Sequence, residues 1–382
     1  MDFTPGEAEA DVSQLAAEVL GAVSRGAPPG PDSGAPDLDA ATWKELAQAG
    51  LLALALPAEL GGDGLGVMET AALLTQAGRH AARVPALATL ALGVLPVTRL
   101  ASARAQGELL AGVATGETIL TAAIREPSDP APVTPATTSE LSGDSGQVSG
   151  VKLGVPYAAA ARWILVPASL ASGGTAVVVV EADAPGLTAT RTHTSSGLPE
   201  YTVTLDQVPV RHVLGDVPPS AGTSAAAGTS AAGGTSAVAE LSRLAVAGAC
   251  CVGDGAIAAA LELTTGYIGS REQFGRPLAT FQAVAQQIAD VYVAARTLHL
   301  ATLSACWRLA AGLDAAGDVD VAGYWLAQQA PAAVRTCHHL HGGIGMDVTY
   351  PLPRYSALVT DLVTMVGGAD YRLDLLGERE GG

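Results

Sequence analysis

Basic residues are scarce in this sequence. Its 382 residues include 20 Lys and Arg against 37 Asp and Glu, which gives a formal net charge of −17. No run of Lys or Arg occurs along the chain, and a nucleic-acid-binding surface needs such a cluster to neutralise phosphates. The composition therefore argues against nucleic acid as a partner. The acidity predicts solubility and does not indicate a substrate.

Cysteine is also rare, with four residues at Cys250, Cys251, Cys306 and Cys337. They form no Cys-x-x-Cys pair, and no set of His, Cys and carboxylate residues has the spacing of a zinc site. We therefore predict no metal site and interpret the cysteines as reduced thiols in the core. Aromatic residues make up only 4% of the chain, whereas Gly and Ala are abundant. This composition favours closely packed helices.

The N-terminal sequence, Met-Asp-Phe-Thr-Pro-Gly-Glu, lacks the apolar core of a secretory signal. The apolar run at residues 82–100 contains Arg83, Pro85 and Pro96. These residues make the run a poor membrane span and a good buried helix. We therefore expect a cytoplasmic protein with no membrane span.

The pattern of apolar residues divides the chain into four parts. Residues 1–117 show helical spacing, and residues 118–216 contain short apolar or alternating runs separated by turn residues, as in β-strands. Residues 217–239 contain no charged residue and repeat Gly-Thr-Ser-Ala three times, which is typical of a flexible low-complexity insertion. Residues 240–382 return to helical spacing. For the second part we expect a small β-barrel or a pair of packed sheets.

The stretch from Ser270 to Gln282 interrupts two long helical patterns. Gly275 and Pro277 break the helix, and Arg271 and Arg276 lie beside an aromatic residue. An arginine fixed at a helix end can bind a phosphate with two hydrogen bonds. On spacing alone, a helix–turn–helix corner with solvated arginines is the favoured interpretation of the stretch.

This stretch resembles the Arg-x-x-Phe-Gly…Phe-Gln signature of the acyl-CoA dehydrogenase family, and His339-Leu-His-Gly-Gly-Ile-Gly345 resembles the family's Gln-x-x-Gly-Gly-x-Gly segment. The resemblance covers nearly the whole chain. It implies an α+β fold with an N-terminal helical domain, a middle β-barrel or sheet domain and a C-terminal four-helix bundle. It also implies FAD as the cofactor, an acyl-CoA substrate and a separate protein that accepts the electrons.

In this family each flavin is shared by two subunits. The residues that the resemblance assigns to a neighbouring chain's flavin are Arg271, Phe274, Gln282, His339, Gly342 and Gly343. Arg271 would bind the phosphates and Phe274 would pack near the flavin. His339 stands where the family has Gln, and the two glycines would allow close approach of the backbone. A simple turn at a helix end is the alternative interpretation of the glycines.

The segments that surround the flavin ring in the family depart from its pattern here. The family has Thr-Glu-Pro-Gly-x-Gly-Ser-Asp where this chain has Ile124-Arg-Glu-Pro-Ser-Asp-Pro-Ala-Pro132. Arg125 therefore replaces the Thr, and the glycines are absent. Gly154-Val-Pro156 replaces a Trp/Phe-Ile-Thr segment. The resemblance thus implies the loss of an aromatic ring and a hydroxyl beside the flavin.

The family removes the α-proton with a carboxylate whose pKa is raised toward that of the substrate. The family's common position for this carboxylate corresponds to Val366 or Gly367 here, depending on a one-residue gap in the alignment. Neither residue can accept a proton. The other family position falls on Ser242, which is not a general base without a partner. The adjacent Arg243 is a weak candidate for contacting acyl-CoA or an acidic neighbour. We therefore assign no catalytic residue, and Asp370 is the nearby carboxylate that could substitute for one.

The combination predicts a subunit that completes the flavin site of a homologous catalytic partner and has no working site of its own. It resembles the degenerate chain of actinobacterial α2β2 acyl-CoA dehydrogenases that act on steroid side-chain CoA thioesters. Two alternatives stay open. One is a self-sufficient acyl-CoA dehydrogenase or flavin monooxygenase with a relocated base, and the other is a non-enzymatic protein for acyl-CoA binding or assembly.

Overall fold

The computed structural model describes residues 4–23, 37–142, 145–215 and 236–380. Within these ranges the N-terminal part is helical. Its elements are α1 (Glu7–Val23), α2 (Ala40–Gln48), a 3₁₀ turn (Ala58–Leu60), α3 (Val67–Arg79), a π-helical segment (Leu87–Val94), α4 (Leu95–Leu100) and α5 (Ala103–Leu109). Asp39 starts α2 as its N-cap, because its carboxylate accepts a hydrogen bond from the Thr42 N–H. The apolar run predicted as a buried helix forms the π-helical segment and α4.

The middle part is one mixed sheet of eight strands in the described residues. The strands are β1 (Leu120–Ala122), β2 (Thr138–Ser142), β3 (Ser145–Pro156), β4 (Trp163–Leu170), β5 (Thr175–Glu181), β6 (Leu187–Thr192), β7 (Glu200–Val210) and β8 (His212–Leu214). Their order is β6-β7-β3-β2-β4-β5-β8, and β1 pairs with β4 in parallel. The strands are therefore hydrogen-bonded into one continuous sheet, and contacts between β5 and β7, which are not neighbours in this order, show that the sheet folds over on itself.

The C-terminal part is again helical. Its elements are α6 (Ala237–Ser270), β9 (Glu272–Gln273), β10 (Arg276–Pro277), a 3₁₀ turn (Leu278–Thr280), α7 (Gln282–Ala310), α8 (Ala316–His341), a second 3₁₀ turn (Gly342–Met346), α9 (Leu352–Met365) and α10 (Ala369–Glu380). The fourth predicted helical segment is divided into α9 and α10 at Gly367 and Gly368, whose φ angles are 88° and 85°. Such angles end a helix and suit glycine.

Glycines let the N-terminal helices and the C-terminal helices pack closely against each other. A Cβ atom on Gly78 of α3 would overlap the carbonyl oxygen of Val252, and one on Gly255 of α6 would overlap that of Thr75. Helix α6 is long and apolar enough to cross a membrane by length and composition, but most of its apolar stretch is buried inside the protein. It is therefore the central core helix.

The predicted α+β fold, with helical, sheet and helical parts in this order, is confirmed. Most of the predicted insertion at residues 217–239 lies outside the described residues. Its last three residues form the first turn of α6, because the Ser236 hydroxyl caps this helix by accepting from the Ala239 N–H. The four cysteines are all buried, and none forms a disulfide.

Candidate functional site

A cleft of about 410 Å³, called here the smaller cleft, lies where the sheet meets the C-terminal helices. Its lining residues are Leu92, Ala122, Ile124, Arg125, Pro130, Ala131, Gly154, Pro156, Ser242, Ala245, Val246, Met365 and Arg372. The fold thus brings together four segments that the sequence placed around a flavin ring and its base. Among these lining residues there is no carboxylate and no aromatic ring.

The loop that follows β1 is fixed by a buried ion pair. The Lys152 Nζ donates to Glu126 Oε1 at 2.7 Å, and the backbone N–H groups of Ala136 and Thr137 donate to the same carboxylate at 2.6 and 2.9 Å. Burial works to raise the pKa of Glu126, but these hydrogen bonds lower it overall. The carboxylate therefore anchors the loop to β3 beside Gly154.

The predicted positions of the base are closed by contacts within the chain. Val366 is fully buried, and its carbonyl accepts a hydrogen bond from Arg372 Nε at 2.7 Å. A Cβ atom on Gly367 would lie 2.6 Å from Cδ1 of Tyr371 and 2.9 Å from Cβ of Pro130. Neither alignment of the sequence therefore offers space for a carboxylate that reaches the smaller cleft.

The other residues that the sequence places near the family's base position lie in different parts of the structure. Ser242 lines the smaller cleft, whereas Asp370 is exposed in the first turn of α10 and lines neither this cleft nor the one described next. Arg243 lies 4.0 Å from Asp314, measured from Nη2 to Oδ1. Arg243 was predicted to contact either acyl-CoA or an acidic neighbour, and Asp314 is such an acidic neighbour. The contact with acyl-CoA stays a prediction.

A second cleft, called here the larger cleft, contains about 760 Å³ of space including open solvent and shares Gly154, Pro156 and Met365 with the smaller one. Two carboxylates line it, those of Glu200 and Asp361. Burial raises the pKa of Glu200 above its ordinary value, and the neighbouring Arg125 opposes this rise. A Cβ atom on Gly154 would lie 2.7 Å from Arg125 Nη1 and 3.2 Å from Glu200 Oε1.

The Arg271 segment forms an exposed hairpin between α6 and α7. Phe274 and Gly275 occupy its turn with φ angles of 54° and 76°, as a two-residue hairpin of this kind requires. The Phe274 side chain is 93% exposed. The hairpin is closed by the Leu278 N–H, which donates to Arg271 O at 2.8 Å. Arg271 and Gln282 are also exposed.

The glycine-rich segment forms an exposed turn after α8. His339 lies in the last turn of α8, and Gly342 adopts φ 63° and ψ −141°, a conformation that favours glycine. A Cβ atom on Gly342 or Gly343 would meet nothing within 4 Å. The space above these glycines is therefore open to a ligand or another chain.

The exposed hairpin and the glycine-rich turn lie at the same end of the helical bundle. The His341 ring at the end of α8 stacks on Tyr267 at the end of α6, with a centroid distance of 4.5 Å. This contact joins the two helix ends from which both predicted segments begin. The structure thus groups the six predicted flavin-binding residues at one end, away from both clefts. Their role in binding flavin stays a prediction.

Several residues of the clefts escaped the sequence analysis. Glu200, Asp361, Tyr157 and Arg372 lie far apart in the chain, and no motif marks them. The partner of Glu126 is also 26 positions away. A signal did exist for Lys152, because it is a rare Lys within the predicted β-domain, and a buried cation needs a carboxylate partner.

The chain is similar to known proteins in both sequence and fold. A family model described as the C-terminal domain of acyl-CoA dehydrogenase matches residues 233–378, and one described as the N-terminal domain matches residues 27–117. The acyl-CoA dehydrogenase FadE28 of Mycobacterium tuberculosis is 48% identical over 340 residues, which cover 88% of this chain and 92% of FadE28.

Two solved structures share the whole fold. The Tcur3481-Tcur3483 steroid ACAD, solved as a variant, has a TM-score of 0.87 and 33% identity, covering 99% of each chain. The ChsE4-ChsE5 complex from Mycobacterium tuberculosis has a TM-score of 0.87 and 30% identity, covering 100% of this chain and 99% of that one. Both are similar over their full length.

Proposed function

The chain belongs to the acyl-CoA dehydrogenase family, and we propose that it is the subunit of an α2β2 enzyme that supplies no base. In this role it completes the flavin site of a homologous catalytic chain. The partner provides the carboxylate for α,β-desaturation of an acyl-CoA, and a separate acceptor protein receives the electrons.

One observation carries this proposal, which is the contrast between the closed base position and the open hairpin. Gly367 has no space for a side chain because Pro130 and Tyr371 lie against it. Phe274, in contrast, presents a nearly fully exposed ring. Proton abstraction needs a carboxylate within reach of the α-carbon, whereas completing a partner's site needs an accessible surface. At the family's base position this chain offers no such carboxylate, whereas its hairpin offers such a surface.

FAD is the cofactor of this family, and when bound it accepts the hydride. The open end of the bundle fits its phosphates. Arg271 is exposed there, and the nearby α7 begins without a side-chain N-cap, so its first N–H groups also favour an anion. The smaller cleft does not fit the flavin ring, because the Arg125 guanidinium lies against Gly154 and no aromatic ring lines the cleft.

We further propose a bulky polycyclic acyl group, such as a steroid side-chain thioester, as the substrate of the assembled enzyme. One structural neighbour is described as a steroid ACAD. In this chain the two clefts share three lining residues. A subunit that binds no flavin ring of its own leaves this space for part of a large acyl group.

A self-sufficient enzyme with a relocated base is the second candidate, and one observation favours it. Glu200 lines the larger cleft, and burial raises its pKa, as the pKa of a general base must be raised. If this candidate is right, the lone chain loaded with FAD bleaches on adding acyl-CoA, and Glu200→Gln abolishes the bleaching. The exposed Asp370 is a weaker choice for the same role.

The decisive experiment is to purify this chain alone and with a co-expressed base-bearing homologue. We expect a colourless lone chain and an active complex with one FAD for every two chains. Arg271→Ala in this chain should lower the flavin content of the complex, whereas Arg211→Ala on the sheet surface should not. One FAD per chain in the complex would refute the proposal. A colourless, inactive complex would favour a non-enzymatic role.

A further inference from the structure

The loop of residues 193–199, called here the strap, forms one wall of the larger cleft. It joins β6, the strand at one edge of the sheet, to β7. Thr194, Leu198 and Pro199 of the strap line the cleft, and residues of the 82–88 segment and of α9 line other walls. One wall of the cleft is therefore a surface loop, whereas α9 is a helix.

Asp361 of α9 holds the strap from one of these other walls. Its Oδ1 accepts from the Ser195 N–H at 2.8 Å, and its Oδ2 accepts from the Ser196 N–H at 2.9 Å. Hydrogen bonds to a carboxylate are about twice as strong as those between neutral groups. A single side chain therefore fixes two consecutive residues of the strap.

Arg83 holds the strap from the opposite part of the sequence. Its Nη1 donates to Ser196 O at 3.2 Å, and its Nη2 donates to Gly197 O at 3.1 Å. Arg83 belongs to the N-terminal part and Asp361 to the C-terminal part of the chain. Two charged side chains from different parts of the fold thus hold the backbone of three consecutive strap residues.

The strap has few other contacts that would resist its opening. Ser195 is exposed and Leu198 is only half-buried, so little apolar surface is covered there. Pro199 is buried, and its carbonyl accepts from the Tyr157 N–H at 3.0 Å, which fixes the end of the strap next to β7. Segments with few buried apolar contacts and exposed hydrogen bonds open locally at low free energy.

The larger cleft is small when the strap is in place. The part of it in which a water molecule can be centred has a volume of about 90 Å³. A cavity that admits a benzene ring has about 150 Å³. A molecule as large as this ring can therefore be enclosed in the cleft only if a wall moves, and the strap is a wall held mainly by two side chains.

We propose that the strap is a gate of the larger cleft, with Asp361 and Arg83 as its two latches. In the open state these side chains release Ser195, Ser196 and Gly197, and the strap turns about its fixed end at Pro199. The opening needs no flavin, base or partner chain. It therefore stands independently of the proposed role as a subunit that completes a partner's flavin site.

The test measures access of a thiol reagent to the cleft in the full chain. Val84→Cys introduces a thiol of similar size at a cleft residue that is 6% exposed. The four native cysteines are buried, so their labelling reports global unfolding. The rate of labelling by a maleimide is followed for each site by mass spectrometry of the intact protein and its peptides.

In the Val84→Cys background, Asp361→Ala should raise the rate of labelling at position 84 by at least about tenfold. Loss of two hydrogen bonds to a charged group favours the open state to this extent. The native cysteines should stay unlabelled. Asp347→Ala is the matched control, because Asp347 also accepts a backbone N–H, from Thr349 at 2.9 Å, but lines neither cleft. It should leave the rate unchanged.

Hydrogen exchange on the unaltered chain gives a second measurement. The Ser195 and Ser196 N–H groups should exchange through local opening, at rates that low concentrations of urea do not change. The proposal is overturned if these amides exchange only through global unfolding. It is also overturned if Asp361→Ala leaves the labelling at position 84 unchanged, or if the native cysteines are labelled at the same rate as position 84. The exchange result decides the matter even if a variant does not fold.

Discussion

Gly367 and Gly368 provide a matched pair for testing whether the base position is closed. Their φ angles of 88° and 85° are nearly equal, so alanine at either site has the same left-handed strain, about 1–2 kcal/mol. Their surroundings differ. A Cβ atom on Gly368 meets nothing within 4 Å, whereas one on Gly367 would lie 2.6 Å from Tyr371 and 2.9 Å from Pro130.

The clash at Gly367 sets the expected difference. Forcing a methyl group into a packed site costs about 1–3 kcal/mol, so Gly367→Ala should lower the free energy of unfolding by about 2–5 kcal/mol. Gly368→Ala should lower it by about 1–2 kcal/mol. The difference measures the contact of the C-terminal turn with the loop that contains Pro130.

Urea unfolding of the full chain, followed by circular dichroism, measures both changes. Tyr371→Ala removes one of the two opposing side chains, so Gly367→Ala should destabilise the protein less in that background. Equal destabilisation by the two glycine substitutions would show that the turn is open. The inference that the family's base position is closed in this chain would then be wrong.

Two other predictions concern the buried ion pair and the exposed hairpin. Lys152→Met should destabilise the chain by about 3–5 kcal/mol in urea unfolding, because it leaves the Glu126 carboxylate buried without its cation, and adding Glu126→Gln should recover much of the loss. The folded-state pKa of Glu126 is lowered from 4.5. Its carboxylate therefore stabilises the folded chain above pH 4.5, and this stabilisation is lost as the pH falls through the lowered pKa. Glu126→Gln should lack this acid-dependent loss of stability. Phe274→Asn should change the stability of the lone chain by less than about 1 kcal/mol, because Asn tolerates a positive φ. The same substitution should lower the flavin content of the complex with the partner chain. An unchanged flavin content would exclude the hairpin from the flavin site.

Local sequence patterns predicted the parts of the fold that depend on neighbouring residues. Helical spacing identified α6 and α7, and Gly275 with Pro277 located the hairpin between them. The division of the last helical segment was not predicted. It depends on the positive φ angles of Gly367 and Gly368, and a glycine pair in sequence does not reveal which conformation it adopts.

The grouping of the candidate residues was predictable where short motifs determine it and unpredictable where residues distant in the sequence meet. Arg271 and Phe274 belong to one signature, and the structure places them on one hairpin. Tyr157 and Asp361 meet at the larger cleft although about 200 positions separate them, a pairing that only tertiary packing determines. The contact of Pro130 with Gly367 also depends on tertiary packing, and no spacing in the sequence indicates it.

The two regions that the sequence predicts to lie near flavin differ in what stabilises them. The loop beside the smaller cleft is held by its own chain: the Tyr371 hydroxyl lies 3.2 Å from Asp129 Oδ1 and 3.3 Å from Ala131 O, and Pro130 packs on Gly367. Phe274 has the opposite situation, because this bulky residue at positive φ is 93% exposed, although its ring contacts that of Phe281 edge-on at a centroid distance of 6.2 Å. Its conformation becomes favourable when another surface covers the ring, and this is the reason to expect a second chain at the hairpin.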